Sequence, residues 1–316
     1  MKIIILSDHI AALPAIVHFY QKGWLQSVAT SYGQSVENPI KSFCDSNGVN
    51  CLIINNDLSF SDQLTNLIAT TGSGLGIVFG FSKKLPDSLL QIPQFNVFNI
   101  HFSLLPAYRG PAPLFWQIKR GETFTGITIH KMDSSFDGGP ILYQERVQLF
   151  SEESFGALNS RLSLLSVNVI EKALEKFSNN GNDLVDQDEN ASFSFPAVKR
   201  EDLLIDWENQ TAAEIMNLVN ACNPVFGGAV TFLKGQELAI VEVSPAIIND
   251  ISNLEPGTIV YADGNYGLFV ACKYNSFLRI NIVQTAEGIL SGYKLIAMGL
   301  KVGARFKTAL QREMVC

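Results

Sequence analysis

The sequence predicts an α/β protein with a separate antiparallel β domain, and three patterns predict it. Strand-length apolar runs without alternation, KIIIL, GIVFG and NVFNI, imply strands covered on both faces, hence a mostly parallel sheet. Between them lie segments with helical spacing, LPAIVHFYQKG and SDQLTNLIATTG, which gives a β-α-β alternation. Towards the C-terminus, GAVTFL, LAIVEV, GTIVYA, GLFVAC and FLRINIV, punctuated by Gly, Asn and Asp, have the spacing of a small antiparallel barrel.

Taken in order, the opening MKIIIL reads as a first buried strand. Its apolar run stops at Ser7 and Asp8, too short for a signal-peptide core or a membrane span. GSGLG, Gly72 to Gly76, reads as a turn and not as a dinucleotide loop, because it precedes a strand instead of following the first one. A long helix is expected over roughly Ser154 to Phe177. After it, NNGNDLVDQDENASFS is acidic and aperiodic, without a large apolar anchor before Phe193 and Phe195, the texture of a linker. EDLLIDW and a helical TAAEIMNLVNAC then lead into the barrel strands. The expected division is a Rossmann-like catalytic domain over 1–180, a linker over 181–200 and an OB-like β-barrel over 201–316.

Bulk properties narrow the function. A chain of 316 residues exceeds one usual core, and 47% hydrophobic against 17% charged residues is the balance of a folded protein. The net charge of -7 splits into -3 over residues 1–200 and -4 over 201–316, so neither part is a basic nucleic-acid module. Cys44, Cys51, Cys222, Cys272 and Cys316 are scattered and odd in number, with no CxxC pair. Neither a disulfide framework nor a zinc site is suggested, and a cytoplasmic location is expected. His9, His18 and His130 also lack metal-ligand spacing, so no metal is expected.

The chemistry concentrates in NIHFSLLPAYRGPAP. Asn99 and His101 are two apart on a strand and therefore face the same way, at the carboxyl end where open α/β sheets bind ligands. A third group comes from MDSSFDGGPIL, where Asp137 precedes two glycines that allow close backbone approach. Together they offer a hydrogen-bond donor, a titratable acid or base, and an anion to orient it.

At this point a family is recognisable. The stretch NIHFSLLPAYRGPAPLFWQIKRGETFTGITIHKMDSSFDGGPIL resembles the folate-dependent formyltransferases, with Asn-x-His-x-SLLP-x-x-RG followed by Asp-x-Gly. IDW and NPVFGGA resemble the C-terminal domain of methionyl-tRNA formyltransferases, so the resemblance covers nearly the whole chain. It implies one-carbon transfer from 10-formyltetrahydrofolate to an acceptor amine through Asn99, His101 and Asp137. It also implies a donor pocket formed by Ser103, Leu104, Leu105 and Pro106, with Phe81, Leu85 and Gly138; for Phe81 and Leu85 core packing is the competing reading. Arg109 is open to two readings, an anion ligand or a solvated surface residue.

The sequence departs from that family in one place that matters for the acceptor. The tRNA-binding loop of methionyl-tRNA formyltransferases is rich in Lys and Arg, whereas here SYGQSVENPIK has no cation from Ser31 to Pro39 and carries Glu37. Asn220 and Val225 stand where the family has Arg and Trp. The acceptor therefore stays open between methionyl-tRNA and a small amine such as an amino-sugar nucleotide. A formyl hydrolase and a non-catalytic folate-binding protein are further alternatives, against which the intact Asn99, His101 and Asp137 weigh. No membrane partner is expected, and the oligomeric state is not legible.

Overall fold

The computed structural model describes residues 1–31, 38–54, 60–180, 183–249 and 254–309. They form two compact units, each discontinuous or extended in sequence. The first comprises Met1–Pro113, Phe124–Gln148 and Asn159–Phe195; the second comprises Leu114–Thr123, Leu149–Leu158 and Pro196–Cys316.

The first unit is built on β1 (Ile3–Leu6), α1 (Leu13–Gln21), β2 (Leu25–Thr30), α2 (Pro39–Asn47), β3 (Asn50–Ile53), α3 (Phe60–Thr71), β4 (Leu75–Val78), α4 (Asp87–Leu90) and β5 (Asn96–His101). Strands β6 (Phe124–Lys131) and β7 (Ile141–Gln148) and most of the long α6 (Phe155–Asn180) complete it, while α5 (Pro113–Lys119), which precedes β6 in sequence, belongs almost wholly to the second unit. The seven-stranded sheet has the order β3-β2-β1-β4-β5-β6-β7. Strands β1 to β5 pair in parallel, while β6 and β7 add antiparallel neighbours. The mostly parallel sheet expected from the unbroken apolar runs is present, and β1 and β4 are buried at every position. Strand β7 is buried only at Leu142 and alternates half-buried and exposed residues from Tyr143 to Gln148, as a strand at the edge of the sheet does.

Local signals start and stop the helices. The Asn38 side chain accepts from Ile40 and Lys41 N–H at the start of α2, and Gly48 ends that helix in the left-handed conformation at φ +67°. The winding of the sheet reverses between β1 and β4, where open α/β sheets have their crevice. There the Asp8 carboxylate accepts from Ser31 N–H at 2.5 Å, Ser82 N–H at 2.8 Å and the hydroxyls of Thr30, Ser31 and Ser82. Burial opposes its ionisation, but these hydrogen bonds outweigh burial and hold Asp8 below the usual carboxylate range.

The second unit carries an antiparallel sheet of β8 (Ala229–Leu233), β9 (Gln236–Ala246), β10 (Ile259–Asp263), β11 (Gly267–Cys272), β12 (Ser276–Thr285), β13 (Gly288–Ser291) and β14 (Phe306–Lys307). It also contains the helices α7 (Ala212–Cys222) and α8 (Gly292–Ala297). Its order is β10-β11-β12-β9-β8-β14, with β13 on β12, a curled half-barrel consistent with the OB-like expectation. Trp207 of the IDW run is 1% exposed, stacks on Phe306 and donates from Nε1 to Thr231 Oγ1 at 2.9 Å. A tryptophan buried with its N–H satisfied is a structural anchor.

Candidate active site

Strand β5 lies between parallel β4 and antiparallel β6, so two ladders fix its register. Asn99 pairs with Val78 on one side and His130 on the other; His101 pairs with Thr128. The two-residue period puts Asn99 and His101 on one face, as expected, and the loop after β6 brings Asp137 to them. Asp137 Oδ1 lies 3.3 Å from Asn99 Nδ2 and 3.7 Å from His101 Nδ1. Its other carboxylate oxygen accepts from Gly110 N–H at 2.9 Å.

His101 is 6% exposed, and its Nε2 lies 2.8 Å from the Tyr108 carbonyl oxygen. A carbonyl only accepts, so Nε2 carries a proton and donates to it. Nδ1 is therefore the ring atom facing Asp137: a lone pair when the imidazole is neutral, a second donor when it is protonated. The arrangement can place a hydrogen-bond donor from His101 and one from Asn99 beside a single carboxylate oxygen.

The structure adds a residue that sequence reasoning missed. His130, 2% exposed, places Nε2 at 3.1 Å from Asn99 Nδ2 and 3.8 Å from Asp137 Oδ1. Its Nδ1 lies 3.2 Å from the Lys131 carbonyl oxygen, so Nδ1 holds the proton and Nε2 accepts from Asn99. Burial, helped by the neighbouring His101, pushes its pKa well below the ordinary histidine value, against the pull of Asp137. The signal that finds it is the β5–β6 register, which places it directly opposite Asn99, and spacing within one strand does not contain that register.

The turn after β5 is fixed by side chains of β6 and β7. Ser103 donates from Oγ to the Ala107 carbonyl at 2.7 Å, and Thr128 Oγ1 donates to the Ser103 carbonyl at 2.6 Å. Gln144 Nε2 donates to the Leu105 carbonyl at 3.0 Å and to Thr128 Oγ1 at 2.8 Å. Leu105 N–H points at Thr128 Oγ1 at 3.3 Å. Leu105 is buried, and Leu104 packs so closely on β6 that a Cβ on Gly126 would lie 2.4 Å from its Cδ2. Pro106 follows Leu105 through a cis peptide. Leu85 is 2% exposed, in the core cluster with Leu6, Val78 and Val97, and Phe81 packs against that cluster and on the Phe60 ring. Gly138 has no room for a side chain: a Cβ would lie 2.5 Å from Ser135 Oγ. Arg109 is engaged within the protein, with a two-point ion pair to Glu189 and hydrogen bonds to Gln187.

The formyl transferase family matches residues 27–174, and its C-terminal domain matches residues 197–299. The methionyl-tRNA formyltransferase of Carboxydothermus hydrogenoformans is 34% identical over 265 residues, 82% of this chain and 83% of that one. The chain belongs to the formyltransferase family. A formyltransferase of this kind is a folate-dependent one-carbon transferase, and 10-formyltetrahydrofolate is its formyl donor. Among solved structures, HypX from Aquifex aeolicus in complex with tetrahydrofolic acid superposes with a TM-score of 0.68 at 17% identity, over 98% of this chain and 51% of that one. The formyltransferase thus spans about half the length of HypX. WlaRD, a sugar 3N-formyl transferase, superposes with a TM-score of 0.63 at 17% identity, over 88% of this chain and 96% of that one. At such identities these two neighbours share the fold with the formyltransferase. Among the described residues no group of three or more His, Cys, Asp or Glu is placed to hold a metal ion, and no helix is long and apolar enough to cross a membrane.

Proposed function

We propose that the chain formylates the α-amine of methionyl-tRNA, using Asn99, His101 and Asp137 as its catalytic groups. The observation that carries this reading is the meeting of Asn99 Nδ2 and His101 Nδ1 around Asp137 Oδ1. The acceptor amine attacks the formyl carbon, and the carbonyl oxygen takes up negative charge in the tetrahedral intermediate. Asn99 Nδ2–H, turned from its 3.3 Å contact with Asp137 Oδ1, and protonated His101 Nδ1–H are the donors for that oxyanion. Asp137 Oδ1 is bound only at long range and is available to take the ammonium proton. The carbon–nitrogen bond to the donor then breaks as its nitrogen takes a proton from His101 or water, giving tetrahydrofolate and the N-formyl product. Phe81, Leu104 and Pro106 form the apolar surface proposed for the donor, with Gly138 permitting close approach. Ser103, Leu105 and Leu85 are buried, and the part proposed for them is to hold that surface in place.

Similarity to methionyl-tRNA formyltransferases along both matched regions supports the tRNA acceptor. One observation favours a second reading, a small amine such as an amino-sugar nucleotide. The loop from Ser31 to Pro39 has no Lys or Arg, and phosphate contacts without cations lose the main term in nucleic-acid affinity. Residues 32–37 of that loop lie outside the described residues. The test is formyl transfer from 10-formyltetrahydrofolate to charged initiator methionyl-tRNA, beside a panel of amino-sugar nucleotides and a control without acceptor. Efficient transfer to the tRNA is expected. Transfer to a small amine alone moves the acceptor to the second reading, and formyl loss in the control alone makes the protein a hydrolase.

A further inference from the structure

We propose that Gln187 is a positioning residue that holds the Asp137 loop in its site geometry, with Arg109 and Glu189 holding Gln187 in turn. The proposal rests on the reading of Asp137 as a catalytic group. Asp137 has φ +54°, in the left-handed region that Asp tolerates better than most non-glycine residues. The loop is held from outside by one carboxamide. Gln187 Nε2 donates to the carbonyls of Asp137 and Gly139, each at 2.7 Å, so it brackets Gly138 from both sides. Its Oε1 accepts from Arg109 Nε at 3.1 Å and Arg109 Nη2 at 2.8 Å. Both N–H groups and both lone pairs of the amide are thus engaged, which fixes its orientation.

Arg109 is fixed from its far edge. Nη1 and Nη2 donate to Glu189 Oε2 at 3.0 Å and Oε1 at 2.7 Å, the planar two-point pairing that lysine cannot make. That hydrogen bonding draws the Glu189 carboxyl below its ordinary range. The backbone on either side of Gln187 is also tied down. Val185 bridges to Ile141 through two backbone hydrogen bonds, at 2.8 and 2.9 Å. Ser194 lies in a bridge to Arg109, with Phe193 and Phe195 against the Tyr108 ring. Residues 183–195 of the acidic segment that reads as a linker in the sequence thus run as a strap along the site. Displacement of a reacting group by about 1 Å costs about 100-fold in rate, so a strap that sets the Asp137 carbonyl sets the reach of its carboxylate.

The test compares Gln187→Ala and Gln187→Glu with the wild type. Glutamate keeps the length and a partner for Arg109 but turns an oxygen towards the two carbonyls. Both variants should lose about 10- to 100-fold in kcat for formyl transfer to the acceptor found in the assay above, with KM for both substrates changed less than about 3-fold. Hydrogen exchange across residues 133–140 should accelerate in both. In an Asp137→Ala background, Gln187→Ala should cause no further loss, because a residue acting through Asp137 has nothing left to position. A full multiplicative loss in that background, or unchanged exchange across 133–140, overturns the proposal. Near-normal turnover of Asp137→Ala alone overturns the catalytic reading instead, and it is recognisable because exchange across 133–140 still responds to Gln187→Ala.

Discussion

Strand β5 and the loop after β6 deliver the two halves of one site, and they do so by different means. Asn99 and His101 stand in the middle of a sheet, where the parallel ladder to β4 and the antiparallel ladder to β6 fix their backbone. Asp137 stands outside any strand at a positive φ, and its backbone carbonyl is held by the side chain of Gln187, 50 residues further along the chain. The strand half is therefore as rigid as the sheet, while the loop half is as rigid as a few side-chain hydrogen bonds. Perturbing a donor on the strand should remove chemistry without disturbing position. Perturbing the loop should remove position while leaving every reacting group in the sequence.

The largest effect is expected on the strand side. Asn99→Ala removes one oxyanion donor and should lower kcat by about 100- to 1000-fold, with the thermal midpoint shifted by only a few degrees. Near-normal turnover, measured with the acceptor found in the assay above, would break the comparison at its first term. Gly139→Ala tests the loop side, because a Cβ there would lie 1.9 Å from the Lys131 carbonyl oxygen. The loop must shift, and kcat should fall by about 100-fold while Asn99, His101 and Asp137 are all present. A crystal structure of the variant with Asp137 unmoved, or full activity with it moved, would show that the loop side needs no such precision. Thr128→Val then probes how firmly the turn after β5 is attached. It leaves the Ser103 carbonyl and Leu105 N–H without their partner and should cost about 1 to 3 kcal/mol of stability in denaturant titrations. A loss below about 0.5 kcal/mol would mean the turn is held by packing alone.

The same contrast explains how much was legible in the sequence. Continuous apolar runs and a two-residue period are local, so the parallel strands and the shared face of Asn99 and His101 could be read directly. So could Asp137 next to its glycines, although the crowding there comes from the protein itself: a Cβ on Gly139 would lie 1.9 Å from the Lys131 carbonyl oxygen and one on Gly138 2.5 Å from Ser135 Oγ. What sequence could not give was long-range pairing. His130 meets Asn99 through the β5–β6 register, and Gln187 meets Asp137 across 50 residues from a segment whose acidic, aperiodic composition suggests a solvated connection. Leu85 was ambiguous for the opposite reason: an apolar residue near a site has the same composition whether it faces ligand or core, and only burial decides.

His130 qualifies the comparison, because the strand half also borrows one contact. Neutral His130 accepts from Asn99 through Nε2, and protonation there would set an N–H against an N–H. Burial, with His101 adding to it, lowers its pKa to about 4 while Asp137 and Asp133 pull the other way. The sign follows from linkage: between the ordinary histidine value and the folded one, the unfolded chain binds the proton and the folded chain does not. Stability is therefore lost as pH falls below about 6.5, and His9, whose pKa is also lowered by desolvation, contributes in the same direction. His130→Met removes one such group. Between pH 7 and 5.5 the wild type should lose about 1 kcal/mol more than the variant in paired denaturant titrations. Parallel pH profiles would mean that His130 takes up its proton at the same pH folded and unfolded, so that burial does not hold it neutral; a variant that loses more stability than the wild type would mean that His130 is protonated in the folded state, and the orientation assigned to the Asn99 amide would then be reversed.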